Sequence, residues 1–307
     1  MRPDARTDTT AYLKLILVVV IWGGTFVAGR QLASEAPPLL VASVRFLLAS
    51  LALLCLLPWI QRAGSRPSPR QFVQLALLGF FGVFVYNLCL FQGLHTVSAS
   101  RASLIVALNP AVIALASAVL LRERLAPRRL LGIGLCLLGA AMVILVRDPQ
   151  ALLQSTWQGD VLILGCVVSW GVYSLFSRPL ISQLGALATV TWSVLFGTLM
   201  LVLLAMVDGQ LSGSALLALG PDEWSSLIYL GVLGSALAYY WYYQAIAHIG
   251  PTRAGVFIAL NPVSAVVLGG LLLGEKLGPA MAMGGALVLA GIVLCNWPAK
   301  AQRQLQN

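Results

Sequence analysis

Arg101–Pro110 reads RASLIVALNP and Arg253–Pro262 reads RAGVFIALNP. Each stretch leads on through Leu-Leu, one residue and a glutamate into Leu-x-Pro, so that Asn109 matches Asn261, Glu123 matches Glu275 and Pro127 matches Pro279, always 152 positions on. A constant offset over that many positions marks an internal duplication. Both copies are embedded in long apolar segments, which makes the repeated unit a membrane unit.

Composition agrees. Hydrophobic residues make up 59% of the chain and charged residues 9%, against about 45–50% and about 25% in soluble domains. The 307 residues are therefore counted in spans of about 20 apolar residues. The N-terminal MRPDARTDTTAYLK is short and polar, and the apolar run behind it is too long for a signal-peptide core and leads to Arg30 and Glu35, so an uncleaved first helix is expected. Cys55, Cys89, Cys136, Cys166 and Cys295 lie in apolar runs without a CxxC pairing. They read as small apolar residues, and no metal or cofactor is expected.

Apolar runs predict helices at 12–29, 39–60, 72–94, 97–121 and 130–146, then at 161–176, 187–207, 227–249, 254–273 and 280–297. With the N-terminus inside, the basic residues concentrate on the cytoplasmic side, Arg62, Arg66, Arg70, Arg122, Arg124, Arg128 and Arg129 among them, and both termini are cytoplasmic under the positive-inside rule. The net charge of +9 is then a topological signal. No basic cluster interleaved with aromatics points to nucleic acid.

Five spans per copy force the second copy upside down. The turn after the fourth helix, RERLAPRR, carries four arginines, while its counterpart GEKLGPAM carries one lysine. Trp22, Gly23 and Arg30 match Trp170, Gly171 and Arg178 at an offset of 148, so an insertion is expected in the loop DGQLSGSALLALGPDEW. The reading is an all-α integral membrane protein of ten transmembrane helices, arranged as two inverted five-helix repeats at 11–147 and 160–298.

The duplicated unit, its Trp-Gly in the first helix, Arg45-Phe46 in the second, the Asn-Pro of helices four and nine and the E-[RK]-L-x-P turn resemble EamA-type transporters of the drug/metabolite transporter superfamily. The resemblance covers roughly Tyr12 to Trp297 and implies alternating access around a central cavity. Well-known members export amino acids and related metabolites. Inverted repeats lead independently to two pseudo-symmetric states around a midplane site.

Candidate site residues follow. Pro110 and Pro262 each remove a backbone hydrogen bond, that to Val106 or to Ile258, and Asn109 and Asn261 can satisfy the freed groups or line the cavity. A static packing kink is the alternative to a hinge. Helix eight carries Tyr239, Tyr240, Trp241, Tyr242 and Tyr243 in succession, of which Tyr239 and Tyr243 share one face. With Gln244 and, on helix three, Tyr86, Asn87 and Gln92, and with Trp22 and Trp170, they form a mixture of rings and amides suited to an amphipathic small molecule. Interfacial belt or core packing would produce the same residues.

Carboxylates all fall in loops or at helix ends, which argues against proton coupling through an intramembrane acid. Arg45 lies about 9 Å into helix two, with Ser193 as its uncharged counterpart; it either meets a carboxylate or carbonyl partner or snorkels to the outer interface. Arg101 and Arg253 open the repeated stretches as gates or anchors. His95 and His248 sit near helix ends. Ala282, Ala286 and Ala290, with Gly270 and Gly274, permit close helix packing or a dimer contact. Neither histidine has a catalytic motif around it, and HExxH and GxSxG are absent, so an enzyme is the distant alternative. The expected function is export of small amphipathic metabolites, amino acids (aromatic ones included) first, with drugs or nucleotide-linked sugars as the runner-up. The expected partners are a small-molecule substrate and membrane lipid, in the cell inner membrane.

Overall fold

A computed structural model describes residues 5–33, 36–60, 67–94, 96, 102, 105–120, 122, 125–147, 157–264, 267–268 and 279–297. Those residues form helices and connecting turns, with no strand among them. We number the main helices α1 (Ala5–Ala33), α2 (Pro38–Ile60), α3 (69–94), α4 (Asn109–Leu120), α5 (Pro127–Arg147), α6 (Trp157–Leu184), α7 (Ala186–Val207), α8 (221–249), α9 (251–260) and α10 (Pro279–Asn296). Five described helices are long and apolar enough to cross a membrane, at Pro38–Leu57, Pro69–Leu90, Pro127–Leu145, Trp157–Leu184 and Ala186–Val207. Thr9–Thr25, Asn109–Leu120 and Ala282–Asn296 are shorter apolar helices.

Helix starts follow local chemistry. Ser68 and Gln71 form a reciprocal capping box before Pro69, whose missing N–H costs nothing in the first turn. Pro221 opens α8 in the same way, with Asp222 and Glu223 in the first turn complementing the helix dipole. Pro69 and Pro221, like Pro127 and Pro279, are helix starts 152 positions apart. The change of offset is confined to the segment before Pro221, where the short helix Gly213–Leu217 lies. Gly185 alone separates α6 from α7 at φ 83°, a conformation that a residue with a Cβ resists.

Sequence placed the sixth helix at 161–176, yet α6 runs to Leu184 through Pro179. The fourth helix is interrupted at the shared motif, whereas the ninth tightens there and continues as helix over 261–264. Residues 105–106 are helical, 107–108 form a turn, and α4 begins at Asn109. In α9 the α-helical turn Pro251–Val256 tightens to a 3-10 turn, Phe257–Leu260, before Asn261. The remainder of the predicted fourth and ninth spans lies largely outside the described residues, as do Glu35, His95, Arg101, Glu123, Gly270, Gly274 and Glu275; Arg30 is described only as backbone.

Both α3 and α8 contain a π-helical stretch, Phe80–Val85 in one and Tyr229–Leu237 in the other, at matching places in the two copies. Such widened turns free carbonyls from the regular ladder and recur at functional sites.

The two copies interlock through antiparallel pairs. On α5 and α10, Gly132 faces Gly291 and Gly139 faces Gly284, so closely that a Cβ on Gly139 would lie 2.5 Å from the Gly284 carbonyl oxygen. Cys136 and Cys295 donate across the same seam to Val288 and Arg129 carbonyls at 3.5 and 3.4 Å. On α2 and α7, Ser50 and Thr198 hydroxyls lie 2.9 Å apart, and Ser43 donates to the Leu201 carbonyl at 3.3 Å. Thr252 on α9 donates to Ser117 on α4 at 3.0 Å. The pairs α1 with α8 and α3 with α6 also run antiparallel. Tyr229 donates to the Ile21 carbonyl and Lys14 to Gln244 in the first; Gly82 packs on Tyr173 and Gly93 on Ile163 in the second.

Candidate functional site

Where α1, α6 and α8 cross, aromatic rings fill the middle of the molecule. Trp22 meets Trp170 edge to face at a centroid distance of 5.5 Å, and Tyr239 lies 6.2 Å from Trp22 and 5.3 Å from Trp170. Tyr242 closes the group at 5.7 Å from Trp22 and 5.5 Å from Trp170. Tyr86 reaches Trp170 from α3 at 5.8 Å, and Phe46 reaches Tyr239 from α2 at 6.1 Å. Edge-to-face geometry of this kind adds to the area burial of each ring.

Polar groups punctuate the rings. The Trp22 indole N–H donates to the Gly234 carbonyl at 2.9 Å, an acceptor inside the π-helical stretch of α8. Trp170 occupies the equivalent place in the other copy, where its indole nitrogen meets no carbonyl and has the Tyr242 hydroxyl as its polar neighbour. Tyr242 and Ser174 hydroxyls lie 3.1 Å apart, as do those of Tyr173 and Ser193 at 3.3 Å. Arg45 donates through Nε to the Ser235 hydroxyl at 2.8 Å, and its guanidinium carbon sits 5.1 Å from the Phe46 ring centre. Its charge lies within Coulombic reach of Tyr86 and Tyr239.

Of the residues singled out by sequence, Trp22, Tyr86, Trp170 and Tyr239 are thus brought together. Tyr243 is buried one layer away, tilted against Tyr173 at a centroid distance of 5.0 Å. Asn87 is buried but turned to its own helix, donating to the Val83 carbonyl at 2.6 Å. Gln92 and Gln244 lie at opposite ends of the molecule. Gln92 is exposed and lines a groove of about 370 Å³ with Pro38, Leu88, Leu204, Asp208 and Gln210. Gln244 accepts from Lys14 at 2.6 Å and donates to the Tyr240 hydroxyl at 2.7 Å.

At the Asn-Pro motif, Asn109 donates to the Val106 carbonyl at 2.8 Å, the acceptor that Pro110 leaves free. The side-chain oxygens of Asn109 and Asn261 are both buried without a partner. Pro262 follows the 3-10 turn, and Arg253 is half-buried in the first turns of α9.

Sequence reasoning passed over Tyr173, Tyr242, Ser235 and Lys14. Helical spacing held a signal for two of them, because Tyr173 and Tyr242 each stand three residues beyond a ring already chosen, Trp170 and Tyr239. Among the described residues no group of three His, Cys, Asp or Glu side chains could hold a metal ion. The arrangement sets ring faces, the Arg45 cation and several hydroxyls side by side in the interior.

The sequence profile of the EamA-like transporter family matches residues 9–145 and 157–297, one match in each copy. The chain belongs to the EamA-like transporter family. YetK of Bacillus subtilis (strain 168), an uncharacterized transporter, is 28% identical over 92% of this chain and 85% of its own. A probable terminal-alkyne amino-acid exporter of Streptantibioticus cattleyicolor is 30% identical, with 92% of each chain covered. The inner membrane transporter YedA of Escherichia coli (strain K12) is 28% identical over 93% of this chain and 92% of its own. A solved crystal structure shares the fold with a TM-score of 0.78 at 22% identity, covering 95% of this chain and 99% of that one. As an EamA-family member the protein is a multi-pass membrane transporter and not an enzyme.

Proposed function

We propose that this EamA-family transporter exports amino acids, aromatic ones included, across the cell inner membrane by alternating access. In this reading ten spans form two inverted five-helix repeats, 11–147 and 160–298, with both termini cytoplasmic. The antiparallel seams between equivalent helices, α2 with α7, α4 with α9 and α5 with α10, support the inversion, because two copies inserted the same way up would set their equivalents parallel.

One observation carries the substrate class. The buried aromatic group of Trp22, Trp170, Tyr239 and Tyr242 lies beside a single cation, Arg45. Rings accept an apolar side chain and, through their faces, an ammonium group, and a guanidinium accepts a carboxylate. The name of the Streptantibioticus relative supports the same class. The helix irregularities at Asn109-Pro110 and Asn261-Pro262 serve as hinges at the cavity wall, and Arg101 and Arg253 guard its two mouths.

Counterflow in proteoliposomes with a panel of labelled amino acids tests the reading. Saturable exchange of at least the aromatic members is the expected result. Exchange of none of them overturns the reading and leaves drugs or nucleotide-linked sugars as the cargo.

A further inference from the structure

Resting on that reading, we infer that the Arg45 guanidinium is the seat of the substrate's carboxylate, with the Ser235 hydroxyl as the neutral group that holds it until substrate arrives. Arg45 stands in the apolar span Pro38–Leu57, whose mean hydropathy is 2.4. A cation at such a place is costly and is normally paired. Among the described residues its hydrogen-bond partner is a serine, engaged through Nε, and no carboxylate shares it. A guanidinium has five N–H donors in a fork matched to a carboxylate, and the bond to Ser235 uses the single N–H of Nε.

The side chain is not snorkelling toward lipid. It reaches across to α8 for Ser235 and lies against Phe46, which is 0% exposed and packs on Tyr239. The charge therefore borders the aromatic group in which a substrate ring would rest.

The duplication sharpens the argument. The position equivalent to Arg45 in the second copy is Ser193, whose hydroxyl is 0% exposed and bonded to Tyr173. Packing is satisfied there by a neutral group, so the scaffold itself does not require a cation at this depth. Ser235 is already oriented by its own bond to the Leu230 carbonyl at 2.9 Å, five residues back within the π-helical stretch. It can keep that bond when Arg45 turns to a stronger acceptor. One cation matches the single charge of a carboxylate better than the double charge of a phosphate monoester.

The probes are 3-phenylpropionate and L-phenylalanine with their carboxamides, uncharged 3-phenylpropanamide and L-phenylalaninamide, which keeps the ammonium group alone, with binding followed by tryptophan fluorescence in detergent. The wild type should prefer each acid over its amide by about tenfold. Arg45→Gln should erase that preference while binding 3-phenylpropanamide as the wild type does, and Arg45→Lys should restore part of it. Equal binding of acid and amide by the wild type, no binding of either acid, a preference surviving in Arg45→Gln, or tighter binding of phenyl phosphate than of 3-phenylpropionate would each overturn the assignment. The wild-type comparison decides even if Arg45→Gln fails to fold. Should 3-phenylpropionate bind through Arg45 while no amino acid exchanges, the amino-acid reading falls and the carboxylate seat stands.

Discussion

Trp22 and Trp170 hold equivalent places in the two copies, yet the indole of Trp22 is bonded to the Gly234 carbonyl at 2.9 Å and that of Trp170 meets no carbonyl, only the Tyr242 hydroxyl beside it. A two-fold frame thus carries an unequal pair of hydrogen bonds at its centre. If the rings form the substrate site, Trp22→Ala and Trp170→Ala each lower exchange by an order of magnitude or more in proteoliposomes while surface expression persists. Trp22→Phe separates ring from N–H: it keeps the contact and removes the bond. Unchanged affinity and rate in both alanine variants removes them from the site.

Lys14 and Gln244 fasten the start of α1 to the end of α8. Lys14→Met keeps the stem and removes the donor, leaving Gln244 with Tyr240 as its partner. Cysteine accessibility near Gln244 is expected to rise in this variant as that end loosens. Labelling equal to the wild type would show that the bond does not hold the end closed.

The Asn-Pro break has its own signature. In Pro110→Ala the N–H to Val106 carbonyl bond becomes possible and the helix can run through. Exchange rate should fall more than binding affinity, and Asn109→Ala, which orphans the Val106 carbonyl, should cost about 1 kcal/mol in stability. Equal loss of rate and affinity in Pro110→Ala would make the motif a binding element and not a hinge.

The seam between α5 and α10 has no room for a side chain at Gly139. Gly139→Val sets a Cβ against the Gly284 carbonyl and the Val288 backbone. Overpacking of this kind costs about 1–3 kcal/mol, seen as a lowered midpoint in thermal unfolding of the detergent-solubilised protein.

Asp160, Asp222 and Glu223 lie in the first turns of α6 and α8, and Asp208 caps the end of α7. None of these four sits in the interior of a span where it could relay protons. Exchange is therefore expected to continue when a pH gradient is collapsed with an ionophore, and exchange that stops under that treatment would demand a proton-coupling group.

The motif pair RASLIVALNP and RAGVFIALNP was sufficient for the duplication and for expecting helix irregularities at both motifs, because proline and asparagine act locally. The Val106 acceptor could be named from Pro110 alone, since the helix ladder fixes which carbonyl is freed. Sequence also found Trp22, Trp170 and Tyr239, which share helical depth. It did not separate Gln92 from the ring cluster, because the offset equates Gln92 with Gln244 and those equivalents sit at opposite ends of the molecule. Nor did it find the π-helical stretches, whose residues FFGVFV and YLGVLGSAL carry no proline or charge to mark them. The partner of Arg45 was hidden for the same reason: Ser235 comes into reach only through the winding of α8.

A π-helical turn amounts to one extra residue held within a helix. Excising a single residue from Tyr229–Leu237 would therefore let that stretch close to ordinary α-helix with everything after it facing as before. Tyr239 and Tyr242 would keep their aim, whereas the Gly234 carbonyl offered to Trp22 and the Ser235 hydroxyl offered to Arg45 would be drawn back into the regular ladder. The extra residue is thus spent on the polar groups of this wall and not on the direction of its rings.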